Sequence, residues 1–146
     1  MRLLIAGGWP KNRIFDMGAL RHHHLSRFLR EEIQWETRKK QVVVALSTLE
    51  EETREILSML WSAFRDKDIC TFVIKEHAAY PVGDIMRSLG FDGAGGRFVV
   101  DAKSRLEDLL TASRAVIAAG SAASLDGVAC QCPAIIPRLS CKVDTN

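Results

Sequence analysis

The chain has 146 residues, 47% hydrophobic and 26% charged, with 20 basic against 18 acidic side chains and a formal net charge of +2. That composition excludes a disordered or fibrous chain and fits one domain able to bury a core. Charges of both signs are spread along the chain with no long run of either, so no nucleic acid is expected as a partner.

The four cysteines, Cys70, Cys130, Cys132 and Cys141, lack the two-residue gap of a zinc knuckle or a redox pair. They read as reduced thiols of a cytoplasmic protein. No apolar run approaches the roughly 20 residues that span a bilayer, and the apolar stretch after Met1 is too short for a signal peptide. His22, His23 and His24 are consecutive and would point in different directions on a helix, so no metal is expected there.

In chain order, residues 1–40 read as a linker and leading-helix region holding one strand and one helix over residues 24–36. Trp9 and Trp35 lie in it without a core of their own, and with Trp61 they read as packing or domain-interface residues. Residues 41–146 alternate short apolar runs with amphipathic segments. That pattern predicts an α/β fold, a Rossmann-like parallel sheet with helices on both faces.

The first strand of this region is predicted over residues 42–46, a continuous apolar run suited to burial on both faces. Ser47 with Glu50 predicts a capping box opening a helix whose buried stripe is Leu49, Ile56, Leu57, Leu60 and Phe64. A strand at 71–74 follows, then a short helix over 81–89 stopped by Gly90, and a loop at 92–96. A third strand at 97–100 leads to a second predicted capping box, Ser104 with Glu107, and to a helix burying Leu106, Leu109 and Leu110. A strand at 115–119, a helix over 122–130 and a strand at 134–136 complete the sheet. Asp144, Thr145 and Asn146 follow the last strand with no helix to cover that edge, which predicts a domain truncated at its C-terminus.

The residues suited to binding lie at one rim. Gly120, Ser121, Ala122, Ala123, Ser124, Leu125 and Asp126 stand between a strand and a helix of small residues. A helix start of this kind offers free N–H groups and a positive dipole end, which together suit a phosphate. In a parallel sheet it lies at the C-terminal ends of the strands, where ligands bind. His77 follows its own strand onto the same rim and could donate to a phosphate or a sugar hydroxyl. Read on spacing alone, a mere helix cap at Ser121 or Ser124 and an ordinary loop histidine stand beside these roles.

The stretch from Val73 to Pro137 resembles the C-terminal domain of GT-B-type glycosyltransferases, particularly bacterial enzymes of surface polysaccharide biosynthesis. Two segments carry the resemblance. Lys75, Glu76, His77 and Ala78 stand where the family has Lys-Pro-His-Pro, and residues 121–135 match its serine-rich loop followed by a Glu-Ala, Gly and Pro-Val-Ile pattern. Upstream, Gly18, Ala19, Leu20 and Arg21 resemble the end of the family's interdomain linker, so residues 1–40 would be a remnant of that segment. The resemblance implies that His77, Gly120, Ser121, Ala122 and Ser124 hold the donor's phosphate and Asp126 its ribose, with Lys75 and Arg21 as further contacts. It implies a CMP- or UDP-linked sugar nucleotide as substrate, no cofactor, and a catalytic base in a missing N-terminal domain or neighbouring chain. It also implies a cytoplasmic location with no membrane span, at most peripheral to the inner membrane.

Three departures from the family pattern carry expectations of their own. Asp126 is one methylene shorter than the family's glutamate. Glu76 and Ala78 replace the prolines that flank the histidine. Gln131 replaces a glycine at a helix end where a left-handed backbone is expected. A nucleotide-sugar epimerase domain and a non-catalytic module without ligand are the alternative readings.

Overall fold

The computed structural model describes residues 4, 6–14, 20–28, 33–77, 79–91, 96–119 and 122–140. They form a five-stranded, all-parallel sheet in the order β3-β2-β1-β4-β5. The strands are β1 (Lys39–Ala45), β2 (Thr71–Lys75), β3 (Phe98–Val100), β4 (Ser113–Ala118) and β5 (Ala134–Ile135). The helices between them are α1 (Glu50–Phe64), α2 (Gly83–Ser88), α3 (Leu106–Ala112) and α4 (Ala122–Ala129). This is the predicted Rossmann-like α/β fold, and all five strands expected after residue 41 are present, whereas the separate strand expected within residues 1–40 is not found among the described residues.

Alternation along β1 builds two cores. Val44 faces one side, with Phe72 and Ile74 of β2, Ile56, Leu57 and Leu60 of α1 and Met86 of α2. Val43 and Ala45 face the other, with Val116 and Ala118 of β4, Leu110 of α3, and Cys130 and Cys132. Helices therefore cover both faces. Trp61, Phe91, Phe98 and Phe72 close the β3 side of the first core, with Trp61 and Phe91 centroids 4.7 Å apart and Phe72 stacked on Phe98 at 5.1 Å. Trp61 is thus a packing residue, whereas Trp9 and Trp35 are largely exposed.

Both predicted capping boxes are absent. Leu46, the last residue of the apolar run, donates its N–H to the Lys75 carbonyl, and α1 starts only at Glu50, with Leu49 and not Ser47 at its N-cap. Ser47 Oγ instead accepts the Leu49 N–H at 3.1 Å, Glu50 pairs with Arg54 at 2.9 Å, and Leu49 stays exposed outside the helix. Asp101 likewise prolongs the β3 pairing by donating to the Ile74 carbonyl. Its carboxylate accepts the Lys103 and Ser104 N–H groups at 2.9 and 2.7 Å and the Ser104 hydroxyl at 2.7 Å. Those bonds, the Ser104 hydroxyl's foremost, hold the Asp101 carboxyl below its ordinary range. Ser104 is consumed there, and Glu107 pairs with Arg105 and lies 3.8 Å from His24.

The predicted helix over 24–36 does not form as one element. Leu20–Arg27 and Trp35–Thr37 are separate 3-10 turns, and Gln34 between them is extended, with φ −69° and ψ 128°. Three residues per turn put Leu25 and Phe28 in one line, and both are buried in the second core. Arg38, 4% exposed, fixes this segment further. Its guanidinium donates to the carbonyls of Leu110 (3.4 Å), Ser113 (2.8 Å), Cys130 (3.2 Å) and Gln131 (2.8 Å). These are the carbonyl ends of α3 and α4, where the helix dipole concentrates negative charge.

Gln131 has the expected left-handed backbone, with φ 54°. Cys132 N–H donates to the Gly127 carbonyl at 2.8 Å and Gln131 N–H to the Val128 carbonyl at 3.0 Å, the pattern of a Schellman helix end. The side chain offsets the strain by donating from Nε2 to the Phe28 carbonyl at 2.6 Å. Gly90, also left-handed at φ 83°, ends the α2 segment as predicted.

Candidate ligand cleft at the strand ends

The chain runs from β1 outward through β2 to β3, then returns across β1 to β4 on the other side. At that reversal the loops on either side diverge and leave a crevice beyond the strand C-termini. A cleft of about 750 Å³ occupies this position. Its floor is Ala45, Leu46, Ser47 and Thr48 at the end of β1, and one wall is Lys75, Glu76 and His77 at the end of β2. Ala122, Ala123 and Asp126 of α4 form the facing wall, with Ala102 and Leu106 beside them.

Of the residues predicted to bind, Lys75, His77, Ala122 and Asp126 are brought together around this one cleft. Ser124 is not in its lining; it is buried, 8% exposed, on the core side of α4. Gly120 and Ser121 lie outside the described residues, as does Ala78. Arg21 belongs to the turn Leu20–Arg27.

The position of α4 depends on Gly127. A Cβ on that residue would lie 2.6 Å from Val116 Cγ1, so only glycine lets the helix sit this close to β4. Close seating brings the start of α4 to the rim. Ala122 and Asp126 are four residues apart and share a face of the helix, and both line the cleft. The side chains at 122 and 123 are methyl groups and leave the backbone approachable.

His77 is exposed, and its Nδ1 accepts the Ala79 N–H at 3.3 Å. In a neutral ring that leaves the proton on Nε2, a donor. The carboxylate of Glu76 accepts the Val82 N–H at 2.9 Å, which ties the end of β2 to the residue before α2. Tyr80 N–H donates to the His77 carbonyl at 2.8 Å, and the two rings lie 5.8 Å apart. Lys75 supplies a cation at the same strand end. The cleft therefore brings an imidazole, an ammonium and a carboxylate to the rim where α4 begins.

A second cavity, about 480 Å³, lies between the start of α1 and α2 and shares Ser47 and Thr48 with the first. Nothing in the sequence patterns singled it out, nor Arg38, because both are assembled from polar residues of ordinary appearance. Cys130 and Cys132 are fully buried; burial, with the nearby negative charge of Asp126 and Glu107, pushes the Cys130 thiol up to about 11, and burial raises that of Cys132. Both are packing residues, not nucleophiles. Among the described residues no helix is long and apolar enough to cross a membrane, and no group of three His, Cys, Asp or Glu side chains could hold a metal ion. No protein-family model matches the chain, and no curated protein matches it.

Proposed function

We propose that the chain binds the nucleotide part of a CMP- or UDP-linked sugar donor, as the C-terminal domain of a cytoplasmic GT-B-type glycosyltransferase of surface polysaccharide biosynthesis. The observation that carries this reading is the single cleft at the strand-order reversal, lined by Lys75, His77, Ala122 and Asp126. The phosphate would lie against the start of α4, where the N–H groups and dipole favour an anion, with His77 Nε2 and Lys75 completing its neutralisation. Asp126 would accept hydrogen bonds from the ribose hydroxyls. The catalytic base belongs to a partner domain, and no residue of this chain is assigned that role.

With one wall of an interdomain site supplied by another domain, affinity for a nucleotide is weak, about millimolar or roughly 4 kcal/mol. Calorimetric titration with CMP, UMP and their 2′-deoxy forms tests the assignment. Asp126→Ala weakens the ribonucleotides toward the affinity of their deoxy counterparts and leaves the latter nearly unchanged. Equal losses for both would remove Asp126 from the ribose, and no binding of any nucleotide would favour a non-catalytic module.

A further inference from the structure

The second cavity has a different chemistry from the nucleotide cleft. The Arg54 guanidinium bridges it from α1 to α2, donating to Glu50 Oε1 at 2.9 Å and to Ser88 Oγ at 3.2 Å. Thr53 adds a hydroxyl and Asp84 a carboxylate, itself paired with Arg87. Tyr80 lines the same cavity with 53% of its surface exposed. The turn from His77 to Tyr80 thus places its histidine in the wall of one cavity and its tyrosine in the wall of the other.

This lining discriminates among ligand classes. Glu50 is paired with Arg54 and Asp84 with Arg87, so the lining carries both signs with no net charge to hold a phosphate or a bare cation. An apolar ligand neither donates nor accepts a hydrogen bond and would gain nothing from this polar lining. A neutral pyranose meets every requirement: its hydroxyls both donate and accept, matching paired carboxylate and guanidinium groups, and its C–H face can lie on an aromatic ring. We propose that this second cavity is a saccharide subsite, which takes a neutral pyranose of the acceptor glycan. The preference for a neutral sugar follows from the lining; that it is the acceptor's sugar rests on the glycosyl-transfer reading above. The shared wall at Ser47 and Thr48 sets that sugar beside a donor bound in the main cleft.

Tyr80 is the only tyrosine of the chain, so ring-labelled tyrosine gives one unambiguous reporter. The full chain is titrated with methyl glucoside, methyl galactoside and methyl N-acetylglucosaminide, and separately with CMP and UMP. The expected result is that at least one glycoside moves the Tyr80 ring signals and the amides of Arg54 and Ser88, with a midpoint of about millimolar. Arg54→Gln, a partly exposed position on α1, raises that midpoint about tenfold and leaves the nucleotide titration of His77 and Ala123 unchanged. A Tyr80 ring unmoved by all three glycosides, or an unaltered midpoint in Arg54→Gln, overturns the proposal. So does a Tyr80 ring moved by CMP or UMP but by no glycoside, which would give the cavity to the nucleotide base. Failure of the nucleotide reading shows separately, as unmoved amides at His77, Ala122 and Ala123 in the CMP and UMP titrations.

Discussion

The two ends of α4 receive opposite treatment. At its C-terminal end the carbonyls of Cys130 and Gln131 are met by the buried guanidinium of Arg38, which also binds the end of α3. At its N-terminal end Ala122 and Ala123 line an open cleft. One end of the helix dipole meets a charge that belongs to the fold, and the other is the end where the proposed anion would lie. A helix fixed at one end by internal chemistry holds its other end still, which is what an anion site made of backbone N–H groups requires.

The most damaging way to break this contrast is at Arg38. Arg38→Met keeps the bulk but leaves four carbonyls without their donor, and costs about 3 kcal/mol or more. Urea unfolding followed by circular dichroism measures it. Arg38→Lys retains the charge without the planar fork and recovers only part of the loss. A loss below about 0.5 kcal/mol for Arg38→Met would mean that the guanidinium does not secure the helix ends.

A smaller effect is expected where α4 meets β4. Gly127→Ala puts a methyl 2.6 Å from Val116 Cγ1 and costs about 1–3 kcal/mol through overpacking. The paired change Gly127→Ala with Val116→Ala removes the clash. Its loss should be smaller than the sum of the two single losses, and simple additivity would show that the contact is not what sets the helix position.

Gln131 sharpens the comparison with the smallest change. Gln131→Gly relieves about 1 kcal/mol of left-handed strain but forfeits the bond to the Phe28 carbonyl, about the same amount, so the net is near zero. Gln131→Ala keeps the strain and loses the bond, and falls about 1 kcal/mol lower. Equal stabilities for the two would show that φ at this position carries no cost.

These residues also mark how far the sequence can be read. Runs such as Val42, Val43 and Val44 reveal buried strands because continuous apolar side chains suit a strand covered on both faces, and the rim that carries His77 and Ala122 follows from strand direction alone. The left-handed backbone at Gln131 was legible only through the resemblance, because the residue stands where that family's pattern has a helix-ending glycine. Ser47 and Ser104 misled because a serine three residues before a glutamate signals a cap only if no other partner claims that serine first. Here Ser47 accepts the Leu49 N–H, and Asp101 takes Ser104. Arg38 was invisible because it stands beside Lys39 and Lys40, and only the fold shows which of the three turns inward. Ser124, expected at the rim, is buried and outside the cleft lining, and a helix of small residues carries little amphipathic signal to orient it.

The contrast between the two ends of α4 is tested most directly by amide chemical-shift mapping of the whole chain with saturating CMP and UMP. The account predicts shifts at Lys75, His77, Ala122, Ala123 and Asp126, with the amides of Cys130, Gln131 and Arg38 unmoved. Shifts confined to the Arg38 end, or none at the strand-end cleft, would contradict it.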